Sequence, residues 1–348
     1  MRAVVLRRHG GPEVLEFAEI PDPVPGPGEV RVRVASVVVA RTKDVATRAG
    51  RPPFAAQLPG LPHVLGTEHA GTVDAVGPGA DPELTGRRVA VSAVLTCGSC
   101  RVCARGREEA CDAFRLIGVH RQGSYAEYCV VPEANVQELP DGVGFAQGAA
   151  LAANGGVAAA QLDAGEAGPG DTVLVVGAAG ALGSTAAALA AFRGATVIGV
   201  DRLADRPDRL DGLPLAAALD GAAPDLGRQI LDRTDGHGVD VVVDNLGLSA
   251  LWHGYRDTLA PLGRIITSGA IDHTPVELRL LPFYLRSQSL IGVRTGNRRA
   301  IAGLWADVAK GFLVPGAFVH TLPWNEVARA HRANEEGTSL GQAVLSVE

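Results

Sequence analysis

The stretch GDTVLVVG, AAGALGSTAAALAAFRG and ATVIGVD, residues 170–201, constrains the fold more than any other part of the chain. A short apolar run, of the length of a buried strand, leads into Gly177, Gly180 and Gly183. A small-residue helix follows, and a second apolar run ends in Asp201. Three glycines at this spacing are a weak signal alone. Between a strand and a helix, with an acid closing the next strand, they read as a dinucleotide site. Glycines let the backbone approach a pyrophosphate, and the helix N-terminus offers N–H donors to it. Ala179, Ala181 and Leu182 belong to the same candidate loop. The competing reading is a tight turn in another α/β fold. Asp201 would accept hydrogen bonds from the adenosine ribose hydroxyls, which favours NAD(H) over NADP(H). Arg202, Arg206 and Arg209 stand nearby. One of them could hold a 2′-phosphate instead, or all could form a solvated loop.

The same theme returns in GVDVVVDNLG and GRIITSG, with helical stretches between. Strands alternating with helices predict a doubly wound parallel sheet. The first part of the chain differs. It reads as short strands and turns: a hairpin in VVLRRHGGPEVLEFAEI, a long strand in VRVRVASVVV, further strands in TGRRVAVSAVL and SYAEYCVV, then an Ala-rich helical stretch over 145–162. The tail reads as two helices, in IAGLWADVAKG and over 324–334, and a last strand, GQAVLSVE, expected to rejoin the first domain. The expected fold class is therefore α/β: a β-rich domain over 1–154 and 297–348, and a dinucleotide-binding domain over 155–296.

Cys97, Cys100, Cys103 and Cys111 follow C-x2-C-x2-C-x7-C. Short gaps let one loop wrap a zinc ion, with four thiolates about 2.3 Å away. The rival reading, disulfides, is disfavoured because the gaps crowd neighbouring cysteines into one tight loop. Four thiolates leave no open position, so such a zinc, in a lobe over about 95–113, would brace the fold and do no chemistry. Cys129 lies in a strand-like run and reads as a buried spectator.

Net charge is −6, which argues against nucleic-acid binding, since that needs a basic face. No apolar run is long enough to span a bilayer, and the N-terminal residues lack a signal-like stretch, so no membrane partner and a cytoplasmic location are expected.

Taken together, the cysteine lobe, GAAGALG, LPHVLGTEHAGTVDAVGPG, GSYAEY, GVDVVVDNLG and GQAVLSV resemble the medium-chain dehydrogenase/reductase superfamily over essentially the full length. The resemblance implies a GroES-like catalytic domain, completed by the tail, with a Rossmann domain inserted, and a homodimer joined near residues 290–295. It implies a small-molecule substrate, it places Asn245 and Arg294 beside the nicotinamide, and it counts Ser268 and Gly269 among the cofactor-binding residues. It also exposes departures. Zinc alcohol dehydrogenases of this group hold a second, catalytic zinc. By family position its ligands would fall near Ala40 or Arg41, at Thr67, and near Ala153 or Asn154; of that set only Glu68 remains. One carboxylate does not make a catalytic zinc site, which takes about three protein ligands. His69 is adjacent but on a strand faces away from Glu68, and reads as a core histidine.

Without a Lewis acid, oxidation of an unactivated alcohol is hard, whereas hydride addition to an enone, enoyl thioester or quinone needs only donors for a distant oxygen. Candidate residues for that role are Arg41, Thr42, Thr67 and Asn154, with Thr42 the expected relay hydroxyl and Arg41 or Lys43 a stabiliser of negative charge. Lys43 and Asp44 have a plainer reading as a solvated helix start, and Thr67 and Asn154 as space-fillers. Tyr125 and Tyr128 read as packing residues. Two other functions stay open: a specialised NAD-assisted dehydrogenase, and a cofactor-binding protein without turnover.

Overall fold

The computed structural model describes residues 1–347 except 205 and 273. The chain forms two compact units. One comprises residues 1–153 and 319–348, the other 154–318.

The first unit is built on antiparallel strands. Arg2–Leu6 and Leu15–Glu19 pair as the expected hairpin, with Arg2 opposite Glu19. The long strand Glu29–Val38 pairs with His69–Val76, with Tyr128–Pro132 and with the C-terminal strand Gln342–Ser346. Its alternation explains its place. Val30, Val32 and Val34 are buried, while Arg31 and Arg33 between them face outward. Gln342–Ser346 also accepts a parallel partner, Val319–Pro323. A two-stranded ladder, Val94–Leu95 with Arg115–Leu116, closes the base of the cysteine lobe.

The second unit holds a six-stranded sheet, parallel throughout. Its order is Ala217–Asp220, Thr196–Asp201, Thr172–Val176, Val239–Asp244, Leu259–Thr267, Ser289–Gly292. In chain order this is 3-2-1-4-5-6, the doubly wound arrangement with its switch point beside the first strand. Val173 to Val176 are all fully buried, as a strand covered on both faces requires. Beyond it the helix Ala181–Phe192 is almost wholly Ala and small residues, so it packs close to the sheet.

The helix Arg298–Ala309 belongs to this second unit, whereas the sequence suggested a return to the first domain at 297. The reason is its apolar face. Leu304, Trp305 and Val308 are buried, and Leu304 and Ile301 sit directly over Gly155 and Gly156 at the start of the helix Gly156–Gly165. Burying three such side chains stabilises the docking by several kcal/mol, at roughly 1.5–3 each. The chain returns to the first unit only at 319.

Candidate functional site

The glycine loop and its surroundings lie at the carboxyl ends of the central strands, where this fold binds nucleotides. Gly183 is forced by packing: a Cβ there would lie 2.0 Å from the Gly177 carbonyl oxygen. Gly180 is different, since its nearest neighbour would be that same oxygen at 3.3 Å. Gly180 also starts the helix Ala181–Phe192, and no side chain caps it. The first amides of that helix therefore keep donors to offer an anion. Ala179 is buried, and Ala181 and Leu182 are half-buried. These features fit a bound dinucleotide pyrophosphate.

Asp201 ends its strand as expected, with its side chain 10% exposed. Its carboxylate accepts from the Ala179 amide at 2.8 Å, from the Arg202 amide at 2.9 Å and from Arg209 Nε at 2.9 Å. The acid thus ties the glycine loop to its own strand, and Arg209 turns its Nε toward the acid. Arg202 is exposed. On the next strand-end, Asn245 Oδ1 accepts from Gln161 Nε2 at 2.7 Å. Gly269 permits the Asn245 carbonyl to approach, since a Cβ at 269 would meet that oxygen at 2.2 Å. Ser268 Oγ donates to the Val293 carbonyl at 2.6 Å, so this hydroxyl braces the loop. Arg294 is exposed.

In the first unit the four cysteine sulfurs lie within 4.8 Å of one another. The Cys97–Cys111 distance is 3.6 Å, and Cys97–Cys103 and Cys100–Cys111 are each 4.0 Å. A tetrahedron of 2.3 Å bonds has edges of about 3.8 Å, so the four thiols are gathered closely enough to fit a zinc ion with small side-chain adjustments. Amides of Ser99 and Cys100 pull the Cys97 thiol down to about 6, as a thiolate ligand requires. Burial pushes the Cys103 thiol the other way. Among the described residues this is the one group of three or more His, Cys, Asp or Glu side chains arranged to hold a metal.

The segment Arg41–Val45 forms a single wide helical turn. Arg41 and Thr42 are exposed. Lys43, rather than Thr42, turns inward, and its Nζ meets Glu68 Oε1. Glu68 is 3% exposed, and its other oxygen accepts from Thr67 Oγ1 at 2.5 Å. Thr67 is fully buried. Asn154 belongs to the second unit.

Asp44 corrects the picture of a solvated helix start. It is wholly buried, and its carboxylate accepts from the Ala40 amide at 2.8 Å and the Gly66 amide at 3.1 Å. Burial, joined by the charge of Glu68, raises its pKa to about 7, although the two amides and Lys43 oppose the shift. Nothing in the local sequence marked this residue. The only trace is its spacing from Ala40, which matches a carboxylate folding back onto a turn. Arg48 was missed too. It is fully buried and reaches Glu335 at 2.5 Å. Tyr125 is buried as expected, with its hydroxyl 3.0 Å from His331 Nε2. His69 is a core histidine, which burial pushes down to about 4.

Profiles described as the alcohol dehydrogenase GroES-like domain and the zinc-binding dehydrogenase match residues 26–141 and 181–310. An NAD-dependent alcohol dehydrogenase of Saccharolobus solfataricus is 30% identical, over 99% of each chain. A solved NAD-dependent alcohol dehydrogenase superposes with a TM-score of 0.89 at 35% identity, covering 100% of both chains. An Escherichia coli CFT073 short chain alcohol dehydrogenase, solved with NADH, gives 0.87 at 25% identity, covering 100% of this chain and 99% of that one. With the glycine loop, the cysteine lobe and the sheet order already in place, the chain belongs to the medium-chain dehydrogenase/reductase superfamily and is an NAD(P)-dependent oxidoreductase of that type.

Proposed function

We propose that this oxidoreductase reduces an activated acceptor, an enone, an enoyl thioester or a quinone, and does so without a catalytic zinc. The observation that carries the reading is the Lys43–Glu68 pair. The one carboxylate left from the family's metal set already has an ammonium against it and the Thr67 hydroxyl on its other oxygen. Reduced nicotinamide, when bound, supplies a hydride. The chain's part is to hold the dinucleotide at Gly180 and the helix start, to orient the acceptor, and to neutralise charge on its oxygen. Such charge stabilisation typically contributes on the order of 100-fold or more per donor.

We further propose NADH over NADPH. An acid closing the second strand, Asp201, is the residue type that accepts from ribose hydroxyls and repels a 2′-phosphate, and Arg209 Nε is already turned toward it. Fluorescence titration with both cofactors tests this, and a clear NADPH preference overturns it. The exposed leucines near the strand Ser289–Gly292 support a homodimer. No helix among the described residues is long and apolar enough to cross a membrane, and cytoplasm remains our expectation.

The decisive experiment pairs elemental analysis with a substrate panel. One zinc per chain is expected, lost together with stability in Cys103→Ser. NADH consumption is expected with conjugated carbonyls or quinones, and none of the reverse reaction with simple alcohols and NAD. Two zincs per chain, or alcohol oxidation alone as the relatives' names suggest, would overturn the reading.

A further inference from the structure

Among the described polar residues beside Glu68, Lys43 pairs a direct contact to that carboxylate with partial exposure and donors left to offer. Thr67 is fully buried and spends its hydroxyl proton on Glu68 Oε2. Asp44 points its carboxylate at the Ala40 and Gly66 amides. Tyr125, behind them, directs its hydroxyl to His331. Lys43 is different. Its side chain is 20% exposed, and its ammonium carries three N–H groups, of which Glu68 Oε1 takes one. A lysine stem is flexible and normally strays. Here the buried carboxylate, itself pinned by Thr67, holds the head group in one place. The result is a fixed cation with donors left over at a partly open position. Preorganised charge of this kind requires no reorganisation when charge develops beside it.

We propose that Lys43 is the electrophile and proton donor of the reductase. The inference rests on the reductase reading. The supplied hydride makes the new C–H bond at the β carbon of the acceptor, and NADH is oxidised to NAD. The electrons of the C=C bond move to the carbonyl, whose oxygen becomes negative against the ammonium. One N–H proton passes to that oxygen, giving an enol that returns to the ketone in water. Solvent then reprotonates the amine. With a quinone, hydride and the same proton give the hydroquinone. Glu68 and Thr67 are positioning residues, acting through Lys43.

The test uses the full-length protein, NADH and the best acceptor from the panel. Lys43→Met should lower kcat about 100-fold or more while the NADH dissociation constant stays within about threefold. Lys43→Arg keeps the charge but does not release a proton near neutral pH. It should retain part of the turnover and lose the alkaline fall in rate that proton donation from Lys43 predicts for the native enzyme. Unchanged kcat in Lys43→Met, with the native enzyme active, overturns the role of Lys43 and leaves the reductase reading standing. A native enzyme inactive on the whole panel overturns the reading, and the role with it. Should Lys43→Met fold poorly, Lys43→Arg decides: an alkaline limb identical to the native one rules out proton transfer from this residue.

Discussion

Asp44 shows how much one buried carboxyl alters the behaviour of a site. Its pKa rises to about 7 in the folded chain, chiefly through burial, against an ordinary value of 3.8. Between those two values the folded state holds a proton that the unfolded state has lost. Stability from this group is therefore present below pH 4 and declines as pH rises to about 7. Asp44→Asn removes the titration, but its amide group cannot accept from both backbone N–H groups. It should cost about 1 kcal/mol at pH 5 and progressively less by pH 8. Urea midpoints at the two pH values check this; a cost that grows with pH contradicts the burial argument. Little of this was legible beforehand. RTKD could be read as a helix start because acids favour first turns, and that preference is local. What buries Asp44 is the Gly66 amide, 22 residues further on.

At the scale of elements, the glycine loop and the cysteine lobe were legible because their chemistry is carried by spacing within a few residues. The loop also separates two roles that the motif treats alike. Gly183→Ala would drive a methyl into the Gly177 carbonyl, 2.0 Å away, and should destabilise the chain by at least 1–3 kcal/mol. Gly180→Ala meets its nearest atom only at 3.3 Å, so melting should change little. Its methyl enters the space in front of the helix start, and NADH affinity should fall about tenfold or more. Thermal melts and NADH titration of both variants separate the cases; equal melting losses would mean the loop is packed alike at both glycines. The helix Arg298–Ala309 groups with the second unit rather than the first because its apolar stripe, visible in the sequence, docks on Gly155 and Gly156, which no local pattern marks as its partner.

For the whole molecule, the second unit leaves Leu280, Leu281, Tyr284 and Leu285 each more than 60% exposed, next to the edge strand Ser289–Gly292 with its exposed Leu290. A contiguous apolar patch beside an open strand edge is a liability in a lone subunit. Light scattering should give twice the chain mass, and Leu281→Glu with Leu285→Glu should halve it without loss of folded signal. A native protein of single-chain mass would exclude this face as an interface. Family resemblance suggests an interface over 290–295; the exposed residues would extend such an interface to 280.

The sequence alone determined the parts whose information is local. Alternating valines specify the strand Glu29–Val38, an all-apolar run specifies a strand covered on both faces, three glycines specify a close turn, and four cysteines at short gaps specify a metal lobe. Only the tertiary structure decided which polar groups meet. Lys43 and Glu68 are 25 residues apart, and Arg48 and Glu335 are 287 apart. Whether a charge is solvated, paired or buried depends on strand register and helix docking summed over the whole unit, and no short window of sequence contains that sum.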